Sequence, residues 1–207
     1  VFKASAEAKV KRIVFASSSS VYGNQKTFPL KENMISCPLS PYALQKSVGE
    51  QVAKLFTNLY NTPIISLRYF NVYGPRAASE GAYALVIGRF LEQRRKGEPL
   101  TVVPDGKQSR DFTHVRDVVR ANILASESPK VGRGEVINIG GGRNYSVLDV
   151  AELIGGPIEH VAARLEPHDT LADRSRAKVL LGWEPKVTLE DGVAELGVVL
   201  HLRLEHP

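Results

Sequence analysis

One cysteine, one methionine and one tryptophan occur among 207 residues. The lone Cys37 excludes an internal disulfide framework and suits a reducing compartment, so it reads as a loop residue in a cytoplasmic protein. Aromatic residues make up 7%, and no aromatic-rich basic stripe accompanies the net charge of +5. Nucleic acid is therefore not an expected partner. The basic residues are mixed with acids, and the richest run, residues 89–96, reads as a solvated helix face. No hydrophobic run is long enough to cross a bilayer and no signal peptide is visible, so no membrane partner is expected. No metal site is assigned. Also missing are a Gly-x-Gly-x-x-Gly turn and a Gly-Lys-Ser/Thr phosphate loop. Gly140-Gly141-Gly142 imitates one between a strand-like stretch and a helical run over 146–154, but its spacing is wrong. It reads as a tight structural turn, with Ser146 and Asp149 as the helix-start signal.

What is present is a globular composition, 43% hydrophobic and 24% charged, with enough length for a core. Within it stands one chemical pattern. Ser18 lies in Ser17-Ser18-Ser19-Ser20-Val21-Tyr22-Gly23, and Tyr42 and Lys46 follow four apart in a helix-like stretch. On a helix that spacing shares a face, so an ammonium can lie near a phenol. A free tyrosine ionises near pH ~10, and a phenol acting as base near neutrality needs a shift of about three units, roughly 4 kcal/mol. Positive charge from Lys46 and from an oxidised nicotinamide favours the phenolate, and the Ser18 hydroxyl can orient a substrate alcohol. Taken alone, Tyr-x-x-x-Lys also fits an ordinary helix surface.

The surroundings sharpen the choice. Residues 11–17 read as a buried strand that delivers the serines, and residues 63–71 as the next strand. Strand, helix, strand in that order indicates a parallel α/β sheet, whose ligands sit beyond the carboxyl ends of the strands. Further α/β segments follow: a helix from 115 to 126 and a strand from 135 to 139.

Six ordered blocks carry a family resemblance. They are the serine block, Tyr42-x-x-x-Lys46, Arg68-Tyr69-Phe70-Asn71-Val72-Tyr73-Gly74-Pro75-Arg76, Ser109-Arg110-Asp111-Phe112-Thr113-His114-Val115-x-Asp117, Asn138-Ile139-Gly140-Gly141-Gly142, and Leu180-Leu181-Gly182-Trp183-x-Pro185. Together they resemble the NAD-dependent epimerase/dehydratase group of extended short-chain dehydrogenases/reductases, which acts on nucleotide sugars. The resemblance is closest to UDP-glucose and UDP-N-acetylglucosamine 4-epimerases. It implies a partial Rossmann-type, doubly wound parallel sheet with a smaller α/β substrate domain. Residues 1–74 and 114–142 would belong to the NAD-binding part, and residues 75–113 and 143–207 to the nucleotide-sugar part. The family opens with a strand and a Gly-x-x-Gly-x-x-Gly turn that this sequence lacks, so the chain is expected to be the C-terminal part of a longer protein.

The resemblance also implies roles. Ser18, Tyr42 and Lys46 would be catalytic, with Ser17, Tyr42, Lys46 and Phe70 at the NAD cofactor. Ser18, Ser19, Asn71, Arg110 and Thr170 would hold a UDP-sugar. Phe70 fits a plain core residue nearly as well, Asn71 a strand-end turn, and Arg110-Asp111 a surface ion pair; Trp183 and Pro185 are packing residues. Sugar dehydratases carry Asp-Glu where this chain has Ser19-Ser20, so C4 epimerisation is the reaction expected. Thr170, where some members carry a bulky tyrosine, leaves room for an acetamido group; Arg164 stands in for an arginine missing from residues 166–169. A homodimer through the helix over 42–60 is implied as well. Two alternatives stay open: a non-catalytic fragment that binds nucleotide sugar weakly, and a nucleotide-sugar dehydratase or reductase.

Overall fold

The computed structural model describes residues 1–79, 85–103, 105–162, 169–200 and 202. The sequence readings on Arg164 and on residues 166–168 lie outside the described residues. In chain order the elements are α1 (Phe2–Glu7), β1 (Ile13–Ser18), a 3-10 turn (Ser19–Tyr22), α2 (Pro41–Tyr60), β2 (Ile64–Tyr69), β3 (Val72–Tyr73), α3 (Val86–Lys96), β4 (Leu100–Val102), β5 (Ser109–Asp111), β6 (Thr113–His114), α4 (Val115–Glu127), β7 (Arg133–Ile139), β8 (Asn144–Ser146), α5 (Val147–Ile154), β9 (Ile158–His160), α6 (Ser175–Leu181) and α7 (Leu189–Val199).

Strands β1, β2 and β7 form a parallel sheet in that order. Ile64 to Arg68 of the central β2 are buried, as a strand covered on both faces requires. The register pairs Ser18 with Tyr69 and Tyr69 with Ile139. Three carboxyl ends therefore finish level, and the chain leaves them at Ser19, Phe70 and Gly140. That alignment places the serine block, the Asn71 segment and the glycine run along one rim.

Helix α2 crosses this sheet. Its start is specified locally: the Ser40 side chain accepts from Ala43 N at 3.2 Å, Pro41 occupies the first helical position, and left-handed Asn61 ends the helix. Close approach to β1 depends on Gly49, where a Cβ would lie 2.4 Å from Phe15 Cζ. The predicted start of α5 has the capping box foreseen for Ser146 and Asp149.

Two cores flank the rim. One joins the sheet to α4 and α6 through Ile65, Leu67, Val118, Ala121, Ile137 and Trp183. The other joins α3, α5 and α7 over Phe90, Leu100, Phe112, Val150, Ile154 and Val193. Each such large buried side chain contributes about 1.5–3 kcal/mol of transfer free energy. Trp183 is fully buried and its Nε1 donates to Asp117 O at 2.9 Å, so its polar edge is satisfied. The connection after the 3-10 turn folds back across β7. There Leu30 N donates to Leu171 O at 2.7 Å and Asn138 N to Glu32 Oε1 at 2.9 Å. This fold-back holds residues 170–173 against the rim. Among the described residues no helix is long and apolar enough to cross a membrane.

Candidate active site

Tyr42 sits in the first turn of α2 and is 46% exposed, so its phenol is open to a ligand. Lys46, one turn on, holds its Nζ 5.5 Å from the centroid of the Tyr42 ring and donates to Ala16 O at 2.8 Å. The same ammonium is 5.5 Å from the Phe15 ring. Both distances are within cation–π range. One side chain thus reaches from the tyrosine to the strand that ends in Ser18. Ser18 Oγ caps the 3-10 turn, accepting from Ser20 N at 3.2 Å and from Ser20 Oγ at 2.9 Å. Ser19 and Ser20 present hydroxyls beside it and no carboxyl group.

Beneath this pair lies a buried ion pair. Arg68 of β2 donates from Nε to Glu50 Oε1 at 2.9 Å and from Nη2 to Glu50 Oε2 at 2.7 Å, and the Ser17 hydroxyl donates to Glu50 Oε1 at 2.5 Å. Glu50 follows Lys46 by one helical turn on the same face of α2. Burial opposes the Arg68 charge, yet Glu50 holds the guanidinium above its ordinary range. The guanidinium also lies 4.5 Å from the Tyr22 ring centroid. Burial, aided by Glu32, pushes the Tyr22 phenol up to about 12, and its hydroxyl donates to Asn138 Oδ1 at 2.7 Å. Ser17 is therefore committed to Glu50. Phe70 is fully buried with Val21, Tyr22, Leu30 and Ala172.

The second half of the rim is organised by Asp111. Its carboxylate accepts from Gly141 N at 2.6 Å, Gly142 N at 3.0 Å and Ala172 N at 2.9 Å. Burial pushes the Asp111 carboxyl up to about 6, against the pull of these three donors. The glycine run is thus a turn whose amides are filled by an internal carboxylate. A Cβ on Gly141 would lie 2.4 Å from Phe112 O. Asn71, at φ 32°, donates from Nδ2 to Asp111 O at 2.9 Å and to Thr170 Oγ1 at 3.2 Å; Asp111 N donates to the same Thr170 oxygen at 3.0 Å. Asn71 and Thr170 are thereby joined across 99 positions of sequence.

Gln108, Arg110 and Phe112, at alternate positions in and beside β5, line a cavity of about 110 Å³ together with Asn71, Arg89 and Phe90. Arg110 donates from Nη1 to Ser109 O at 2.9 Å. Sequence reasoning singled out Asn71 and Arg110 but missed Arg89 and Gln108 in this cavity and Glu50 in the buried ion pair. By composition Arg89 belongs to the solvated run, but the buried neighbours Ile87, Phe90 and Leu91 put it on the inward half of α3. For Gln108 the available signal was its position two before Arg110.

The sequence pattern of the NAD dependent epimerase/dehydratase family matches residues 1–140. An uncharacterized UDP-glucose epimerase of Bacillus subtilis is 38% identical over 204 residues, covering 93% of this chain and 61% of that protein. The fold is similar to that of the UDP-N-acetylglucosamine 4-epimerase from Methanobrevibacter ruminantium in complex with UDP-N-acetylmuramic acid. The TM-score is 0.88 at 33% identity, over 96% of this chain and 66% of that one. It is likewise similar to the UDP-glucuronic acid 4-epimerase from Bacillus cereus in complex with UDP-glucuronic acid and NAD, with TM-score 0.87 and 35% identity over 97% of this chain and 64% of that one. The chain spans about 61% of the length of the first curated relatives it matches.

Proposed function

The chain belongs to the NAD dependent epimerase/dehydratase family, and on that premise we propose that it carries the C4 chemistry of an NAD-dependent UDP-hexose 4-epimerase, N-acetylated hexoses included. The observation that supports this most directly is the Lys46 ammonium held 5.5 Å from the Tyr42 ring and tied to β1. An open phenol beside a fixed cation is what proton removal from a sugar hydroxyl needs.

The chain's residues fit the nicotinamide-ribose end of the cofactor, through Tyr42 and Lys46, and its 207 residues contain no glycine-rich pyrophosphate turn. NAD, when bound, supplies the acceptor and donor of the C4 hydride. Tyr42 takes the proton of the 4-hydroxyl and later returns it, Lys46 favours the phenolate, and Ser18 orients the sugar oxygen. Once the oxidised sugar has turned over, return of hydrogen to its other face inverts C4, with no net oxidant consumed. Ser19 and Ser20 carry no acid or base for removing water, which favours epimerisation over dehydration. Asn71 and Arg110 hold the nucleotide and its diphosphate, and Thr170 leaves space for an acetamido group.

Residues 1–74 with 114–142 form the cofactor part, and residues 75–113 with 143–207 the nucleotide-sugar part. The two cores support this division, although Ala177, Leu181 and Trp183 pack on the sheet side. A homodimer is supported by Leu44, Val48, Leu55 and Leu59, which are 46–65% exposed along one face of α2. A cytoplasmic setting agrees with the single cysteine.

The test is incubation of the chain, with and without NAD+, with UDP-glucose, UDP-galactose and their N-acetyl counterparts, followed by anion-exchange separation. C4 interconversion that Tyr42→Phe abolishes is expected. Conversion that survives Tyr42→Phe, or a product that has lost water, would overturn the assignment. Absence of turnover with retained UDP-sugar binding would select the reading of a binding fragment.

A further inference from the structure

Three consecutive residues at the end of β1 each meet a different part of the site. Ala16 O accepts from Lys46 Nζ at 2.8 Å, the Ser17 hydroxyl donates to Glu50 Oε1 at 2.5 Å, and Ser18 Oγ caps the 3-10 turn. Tyr42, Lys46 and Glu50 recur every four residues of α2 and so share one face, which runs from a tyrosine 46% exposed to a glutamate 7% exposed. Ser17 is also the register partner of Arg68 on β2, so neighbouring positions on two strands converge on the one Glu50 carboxylate. Gly49 permits the close approach, since an added Cβ there would meet the Phe15 ring.

Stability does not account for this arrangement. Replacing a buried ion pair by well-packed apolar residues of similar volume is often neutral or stabilising, because the desolvation of two charges offsets their attraction. What an apolar contact does not supply is direction. A planar guanidinium on both carboxylate oxygens, with a hydroxyl on one of them, fixes α2 against β1 and β2 in sliding and in rotation. Resting on the C4 chemistry proposed above, we infer that Glu50 is a positioning residue: through Ser17 and Arg68 it sets where the Tyr42 phenol and the Lys46 ammonium stand relative to the Ser18 hydroxyl. Buried one turn beyond Lys46, it acts through the backbone of α2. A displacement of about 1 Å at a reacting group costs on the order of a hundredfold in rate.

Steady-state kinetics of UDP-glucose and UDP-galactose interconversion with added NAD+ test this in the parent, in Glu50→Leu with Arg68→Met, and in Ser17→Ala. The double variant removes both charges, so its melting temperature should stay near that of the parent. Its kcat should nonetheless fall about tenfold to a hundredfold with KM held within about threefold, so that kcat and kcat/KM fall together. A pair that served stability alone would leave kcat unchanged in a variant that melts like the parent. Ser17→Ala keeps the ion pair and removes only the tie to β1, and its kcat should fall by about threefold to tenfold. Added to the double variant it should change kcat by less than about twofold, because the acceptor is already gone. Parental kcat in the folded double variant, or in Ser17→Ala, would overturn the inference while leaving the C4 reading intact. A loss confined to KM would overturn it too, by assigning the pair to binding, as would equal losses from Ser17→Ala in both backgrounds. If the double variant does not fold, Ser17→Ala decides alone. Absence of C4 turnover in the parent would overturn the C4 reading itself, and this inference with it.

Discussion

Removing Glu50 should cost more than any surface substitution, because it strands a guanidinium inside the protein. The side chains of Arg68 and Glu50 are 5% and 7% exposed, and their two hydrogen bonds of 2.9 and 2.7 Å make a bidentate pair. Arg68 Nη1 already lacks a partner. In Glu50→Leu, Nε and Nη2 join it and the Ser17 hydroxyl loses its acceptor. Breaking one partner of a buried pair costs about 3–5 kcal/mol. That is a large share of the roughly 5–15 kcal/mol that stabilises a typical domain. At about 2–4 °C per kcal/mol for a chain of this size, the melting temperature should fall by roughly 6–20 °C. Replacing both residues, Glu50→Leu with Arg68→Met, removes the charges together and should recover about 3–5 kcal/mol relative to Glu50→Leu. Urea unfolding followed by fluorescence of Trp183, the single tryptophan and fully buried, measures all four proteins of the cycle. A loss below about 1 kcal/mol in Glu50→Leu, or a double variant as unstable as the sum of its singles, would refute the coupling.

Three further outcomes are expected. The Tyr22 phenol, raised from 10.0 to about 12 chiefly by burial, favours the folded state fully below pH 10. That contribution, about 2–3 kcal/mol, is lost as pH rises through 12, so Tyr22→Phe should flatten the alkaline fall in stability between those values; an unchanged slope in pH-dependent urea midpoints would contradict this. In Gly192→Ala the new methyl would lie 2.2 Å from Tyr73 Oη, which should lower stability by about 1–3 kcal/mol in thermal melts; an unshifted melt would show that α7 yields freely. Leu55→Lys with Leu59→Lys charges the exposed stripe of α2 and should turn a dimer into a monomer in sedimentation velocity without changing the melt. A dimer that persists would place the interface elsewhere.

How much was legible depended on how far apart the interacting groups lie. The capping box of α5 joins residues three apart, so Ser146 and Asp149 announce it directly. The strand, helix, strand alternation likewise announced parallel β1 and β2 around α2, because side-chain periodicity is a local signal. Placements were harder. Ser17 and Phe70 were both expected at the cofactor; the structure turns one hydroxyl onto Glu50, 33 residues away, and closes the other ring into a core with Tyr22 and Leu30. Arg89 resembled its solvated neighbours because charge composition does not say which half of a helix faces inward.

The amino-acid order by itself determined the family, the α/β class and the Tyr42–Lys46 pairing, since four residues on a helix are one turn whatever surrounds them. Tertiary structure alone decided what those residues meet. Strand register brought three carboxyl ends level, Asp111 drew Gly141, Gly142 and Ala172 around one buried carboxylate, and the resulting loop put Thr170 against Asn71. These contacts join groups tens of positions apart. They form because a buried donor or acceptor must find a partner, and only the folded chain brings one within reach.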